Sequence, residues 1–139
     1  MRRVLVDTLY WVAMVNPKDA WHKQVMTLRQ QLGTVPLVTT DGVLVEFLNT
    51  LADYGPGMRE MAAQMVREIL SSPRIHVVEQ SRDTLLEGLQ LYENRQDKEY
   101  SLTDCISMNA MKARKITEIL TNDHHFTREG FTILVPVQV

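Results

Sequence analysis

A single cysteine, Cys105, stands among the 139 residues, so no disulfide can close within the chain and a multi-cysteine zinc site is excluded. A lone thiol suits a reducing compartment, and the cytoplasm is the expected location. Long hydrophobic runs are missing as well. The apolar stretch after Arg2 and Arg3 is cut by Asp7, which leaves it too short for a signal peptide or a membrane span. Linkers rich in Gly, Ser or Pro, internal repeats and charge blocks are also lacking, which predicts one domain over residues 1–139. Neither sign of charge dominates: the net charge is −2 and the pI near 6.1, so the whole-molecule field does not favour nonspecific nucleic-acid binding. A local gathering of carboxylates would escape that argument, because bound divalent ions reverse the local sign. With 45% apolar and 23% charged residues the chain has the balance of a domain with a real core, and disorder or a fibrous repeat is set aside.

Short apolar runs occur at Val4–Val6, Leu37–Val38, Ile75–Val78, Ile119–Leu120 and Ile133–Val135. They are rich in β-branched residues and Leu and do not strictly alternate, the pattern of strands covered on both faces. Helical patterns lie between them. Asn16-Pro17-Lys18-Asp19 reads as a helix start, with Asn capping and Pro in the first turn, followed by a buried stripe of Trp21, Val25, Leu28 and Leu32. After Pro56-Gly57, Met58, Met61, Ala62, Met65, Val66, Ile69 and Leu70 recur at helical spacing. Such a Met-rich stripe is read first as core, and second as a surface for a partner. Strands alternating with helices predict right-handed crossovers, a mainly parallel sheet and a three-layer α/β/α domain. In such sheets ligands bind beyond the carboxyl ends of the strands, so the residues just after each run matter most.

Asp7 follows the first run, and Asp123 follows Ile119-Leu120-Thr121. Glu46 lies on the helix after Leu37–Thr40, and Asp104 sits in Ser101-Leu102-Thr103-Asp104 at a helix start that leads into the strand before Asp123. Each has a plain explanation. Asp7 fits an N-cap, Asp104 the acid of a capping box with Ser101, and Asp123 a turn former. Glu46 shares a narrow polar stripe with Asn49, Thr50 and Asp53 on a helix otherwise ringed by Val43, Leu44, Val45, Phe47, Leu48, Leu51 and Ala52. That stripe is either a solvated face or a view into the cleft. Asp104 leads Met108, Met111 and Lys115 on one stripe, while Leu102, Ile106, Ala110 and Ala113 form the expected core face. The functional reading rests on coincidence, since these acids can converge on one rim of the sheet. Two carboxylates about 4 Å apart oppose each other by roughly 4 kcal/mol at an effective dielectric of about 20. They must protonate, separate or bind cations. An all-oxygen site suits Mg²⁺ or Mn²⁺, and that points to phosphoester chemistry, in which such ions activate a water for in-line attack without a covalent intermediate.

Val6-Asp7-Thr8, Val45-Glu46, Ser101-Leu102-Thr103-Asp104 and Thr121-Asn122-Asp123-His124-His125-Phe126, followed by Gly130-Phe131, run in order across nearly the whole chain. In these segments the sequence resembles the PIN-domain family, and within it the small single-domain VapC-type toxin ribonucleases. The resemblance implies a parallel five-stranded sheet between helices and a Mg²⁺ or Mn²⁺ site built from Asp7, Glu46, Asp104 and Asp123. Asp7, Asp104 and Glu46 would hold the first ion, and Asp123 would complete that site or share a second. Thr8 and Thr103 would orient carboxylates or metal waters, and Asp97 falls in a loop where similar proteins carry an auxiliary acid. His125 matches the family's His-Phe pair and is expected to pack or hydrogen-bond near the site; His124 matches nothing. Two adjacent histidines without a cysteine partner do not make a zinc site. Cys105, with no base placed beside it, is read as a small buried residue. Lys98, Lys112, Arg114 and Lys115 are candidate phosphate contacts, with solubility as their plainer role.

The resemblance implies hydrolysis of RNA phosphodiester bonds, a homodimer, and silencing by a small antitoxin whose tail fills the acidic cleft. Two alternatives stand beside it. One keeps the site and changes the phosphoester, to DNA or a phosphatase substrate, although Leu9 two positions after Asp7 departs from a common Asp-x-Asp phosphatase arrangement. The other is a noncatalytic interaction module whose acids are caps.

Overall fold

The computed structural model describes residues 1–135. Five strands, β1 (Val4–Val6), β2 (Leu37–Thr40), β3 (Ile75–Val78), β4 (Glu118–Leu120) and β5 (Thr132–Ile133), form one sheet in the order β3-β2-β1-β4-β5. Every pairing is parallel, with Val4 opposite both Leu37 and Glu118. The helices are α1 (Thr8–Val15), α2 (His22–Leu32), α3 (Asp41–Thr50), α4 (Pro56–Ser71), α5 (Arg82–Asn94), α6 (Leu102–Arg114) and α7 (His125–Arg128). Because β1 starts one half of the order and β4 the other, the switch point lies between them, and the ends of β1, β2 and β4 open onto one crevice.

Strand pleating sorts the core into two apolar layers. Val4, Val6, Leu37 and Leu120 pack with α1 to α4, while Leu5, Val38 and Ile119 pack with α5 to α7. Both faces are therefore covered, as the unalternating apolar runs require. The last strand falls at Thr132–Ile133 rather than Ile133–Val135, though the Leu134 and Val135 amides still donate to Ile119 and Thr121 carbonyls.

Three local expectations need correction. The helix expected at Asn16 begins at His22, because Asn16 Oδ1 accepts from the Lys18 amide at 3.1 Å and Asp19 Oδ1 from the Trp21 amide at 2.8 Å. Those side chains stabilise turns instead of a helix start. On α4, Ala62 and Ile69 are buried and Met58, Met65 and Val66 pack against the core, but Met61 and Leu70 are exposed. On α6, Ala113 is exposed while Cys105, Met108 and Met111 are fully buried, so the core face is rotated toward the methionines. Gly88 of α5 lets Ile106 of α6 pack closely, since a Cβ there would lie 2.5 Å from Ile106 Cγ1.

Candidate metal centre

Four carboxylates reach the carboxyl rim by different routes. Asp7 ends β1 and Asp123 follows β4, Glu46 is carried by α3 beyond β2, and Asp104 stands in the first turn of α6. Asp7 occupies the N-cap position of α1, yet its side chain caps nothing there. Its Oδ2 instead accepts the Thr121 hydroxyl at 2.9 Å, so the expected cap is replaced by a link between the ends of β1 and β4. Glu46 Oε1 accepts the Thr8 hydroxyl, which holds the α3 carboxylate toward the end of β1. Thr103 lines an open cleft of about 400 Å³ beside Glu46, with Gly42 and Asn49.

Asp104 makes the complete capping box the sequence allowed: its amide donates to Ser101 Oγ at 3.0 Å, and its Oδ2 accepts the Ser101 amide at 3.2 Å. The same Oδ2 lies 3.5 Å from His125 Nδ1. Capping and membership of the acidic rim are therefore compatible in one side chain. Asp123 Oδ1 accepts the His125 amide at 2.9 Å and sits 3.3 Å from His125 Nδ1. That buried ring nitrogen lies at ion-pair distance from both carboxylates but has no hydrogen bond of acceptable angle among the described residues.

Electrostatics tie the four acids together. Burial pushes the Asp7 carboxyl up to about 7; the Thr8 backbone amide and then the Thr121 hydroxyl oppose the rise, and the charges of Asp104 and Glu46 add to it. Asp104 is also raised, first by burial and then by Asp123, against the Ser101 amide and His125. The cluster is a set of oxygens at the crevice with too little positive charge of its own. Asp104, Asp123 and His125 offer ligand atoms within 4.8 Å of one another. An oxygen-dominated donor set with one unsatisfied imidazole nitrogen fits a hard divalent ion.

The other candidates stand apart. Asp97 has a side chain 75% exposed and pairs with Lys98 at 3.4 Å. Lys112, Arg114 and Lys115 lie toward the opposite end of α6 from Asp104, roughly 12–17 Å along the axis at about 1.5 Å per residue. Lys112 faces Glu129, and Arg114 donates to the Ala110 carbonyl. Sequence reasoning gave no role to Thr121, although its place at the end of β4 was the available signal, nor to Glu129, for which no local signal exists. Glu129 accepts two bonds from Arg95 and one from the Tyr100 hydroxyl.

Comparison with known proteins supplies a family. The PIN domain family matches residues 4–131. The 23S rRNA-specific endonuclease VapC20 of Mycobacterium tuberculosis is 27% identical over 134 residues, covering 96% of this chain and 98% of that protein. The crystal structure of M. tuberculosis VapC20, described as a sarcin-ricin loop cleaving toxin, superposes with a TM-score of 0.84 at 23% identity, over 96% of this chain and 99% of that one. FitAcB from Neisseria gonorrhoeae gives 0.67 at 14% identity over 94% and 96% of the two chains. VapBC2 from Rickettsia felis, bound to a promoter DNA fragment, gives 0.68 at 15% over 95% and 97%. At these identities the structural matches establish the fold.

Proposed function

The chain belongs to the PIN domain family, and from that premise we propose that it is a Mg²⁺- or Mn²⁺-dependent endoribonuclease, the toxin of a toxin–antitoxin pair. What supports the reading is that Asp104, Asp123 and His125 offer ligand atoms within 4.8 Å of one another, while Asp7, buried and without a cation partner among the described residues, feels the charges of Asp104 and Glu46. Asp7, Asp104 and Glu46 would hold the first divalent ion, and Asp123 would complete that site or share a second. When bound, such an ion supplies Lewis acidity at a phosphoryl oxygen and the positive charge these acids lack. The protein's own part is orientation: Thr121 aims Asp7, Thr8 aims Glu46, and the Ser101 amide holds Asp104. The cleft beside Glu46 and Thr103 offers room for the RNA strand.

The names of the relatives support an RNA substrate, with 23S ribosomal RNA as the first to test, and an antitoxin as partner. A homodimer and a cytoplasmic location belong to the same proposal, as does a single domain over residues 1–139; among the described residues no helix is long and apolar enough to cross a membrane. Lys98, partly exposed and paired with Asp97, is kept as a candidate phosphate contact.

The complete capping box at Asp104 favours one alternative, an interaction module whose acids are structural. Calorimetric titration of the chelator-stripped chain with Mn²⁺, beside Asp104→Asn, separates the two. Saturable binding that the variant loses supports the nuclease, and cleavage of 23S RNA fragments then follows as the activity assay. Equal behaviour of the two proteins, with no binding at millimolar ion, favours the module.

A further inference from the structure

Between α5 and α6 the chain crosses residues 95–101 under unfavourable local conditions. Glu99 holds a left-handed φ of 59°, which non-glycine residues adopt at a cost. An open groove of about 850 Å³, lined by Leu89, Tyr92, Tyr100 and Leu102 among others, borders the segment, so little apolar packing secures it on that side. Tyr100 reaches the core from it, and a single carboxylate ties both of its ends. Glu129, its side chain 8% exposed, accepts Arg95 Nε at 3.1 Å and a second guanidinium nitrogen at 3.3 Å. It also accepts the Tyr100 hydroxyl at 3.1 Å and lies 3.6 Å from Lys112 Nζ. Two cations and a phenol, from the 95–101 segment and from α6, thus meet a single acid at the end of α7. Fork-to-carboxylate pairing of this kind fixes direction as well as distance.

The clamp adjoins the acidic rim by two routes. The Tyr100 ring, 4% exposed, lies against His125 with centroids 5.1 Å apart, and His125 stands between Asp104 and Asp123. The next residue, Ser101, donates its amide to Asp104 Oδ2. His125 and Glu129 also occupy the two ends of the single-turn helix α7.

We infer that Glu129 is a positioning residue for the metal centre: by pinning residues 95–101 to α7 it holds Tyr100 behind His125 and Ser101 over Asp104. The inference rests on reading the rim as a metal site, and its test keeps the two apart. Full-length wild type, Glu129→Gln and Ile69→Val, the last a core change on the far side of the sheet, are compared after chelation. Three quantities are measured: melting temperature, the His125 ring Cε1–H resonance assigned with His125→Gln, and the dissociation constant for Mn²⁺. Glu129→Gln is expected to move the His125 resonance without metal and to weaken Mn²⁺ binding about ten-fold or more, the range for groups that orient ligands. Ile69→Val should lower the melting temperature and leave the other two unchanged. If the resonance and the Mn²⁺ affinity of Glu129→Gln match those of Ile69→Val, Glu129 is merely structural and the inference falls. If wild type binds no Mn²⁺, the metal reading and the role assigned to Glu129 fail together, and the His125 resonance then decides only whether the clamp exists.

Discussion

Asp7 and Glu129 are both nearly buried carboxylates, and the fold treats them in opposite ways. Around Glu129 burial would raise the pKa, but the hydrogen bonds of Arg95 and Tyr100 and the charges of Arg95 and Lys112 outweigh it and hold the group below its usual range. Tyr100, buried and bonded to that carboxylate, is pushed up to about 12. Around Asp7 there are a backbone amide, one hydroxyl and further acids, and the carboxyl, buried, rises to about 7. The fold supplies counterions to the acid that holds it together and withholds them from the acid at the crevice. The difference marks which charge is completed from within and which requires a proton or a cation from outside.

The largest expected effect comes from removing the unsatisfied charge. Asp7 is protonated more readily folded than unfolded, so in chelated protein its contribution to stability is full below about pH 4 and is lost as pH rises to about 7. From the unfolded value of 3.8 to about 7, the loss is on the order of 4 kcal/mol. Asp7→Asn should therefore flatten the fall in melting temperature between pH 4 and 7 and exceed wild type at pH 8 without metal. It should also abolish stabilisation by Mn²⁺ and cut RNA cleavage by at least about 100-fold. A variant that melts lower than wild type at pH 8 would place Asp7 on the satisfied side of the comparison.

The strands and the acids at their ends were readable in the sequence, but the contrast between Asp7 and Glu129 was not, for definable reasons. The strands were legible because runs such as Val4–Val6 are buried on both faces, and the acids because they follow those runs. Asp7 was open to reading as a helix cap because its true partner, Thr121, lies 114 residues away. Asn16-Pro17-Lys18-Asp19 carries the residues of a helix start, but the same side chains close turns equally well, and only tertiary packing chose between them. Glu129 was invisible because its partners Arg95 and Tyr100 are 34 and 29 residues distant, so no periodicity or motif joins them.

Breaking the satisfied member should cost stability instead of relieving it. Glu129→Ala leaves a guanidinium, a phenol and an ammonium without their shared acceptor, and a loss of about 2 kcal/mol is expected, below the range of about 3–5 kcal/mol for buried pairs because Arg95 keeps a third of its side chain and Lys112 half of its own in water. The pH dependence has the opposite sign to that of Asp7. Glu129 has a lowered folded pKa, so its contribution is present above the unfolded value of 4.5 and is lost as pH falls through the folded one. Urea unfolding of wild type and Glu129→Gln should accordingly converge in acid and diverge above about pH 5. Parallel curves would mean that neutral packing, and not the carboxylate, holds the segment.

Asp104 lies between the two extremes and should give the smallest effect. Its capping box with Ser101 stabilises the start of α6, while burial and Asp123 disfavour its charge. Asparagine keeps an oxygen to accept the Ser101 amide and sheds the repulsion, so Asp104→Asn should melt within about 1 kcal/mol of wild type in chelator, on the stable side. Alanine loses the oxygen as well and should fall about 1 kcal/mol below asparagine. Added Mn²⁺ should raise the wild type alone. Because the two substitutions differ only in the cap and share the loss of charge, their gap measures the local role and their common loss of metal response measures the role at the crevice. An Asp104→Asn protein that melts well below wild type without metal would show the charged cap outweighing the repulsion, and would move Asp104 beside Glu129 as an acid the fold has already satisfied.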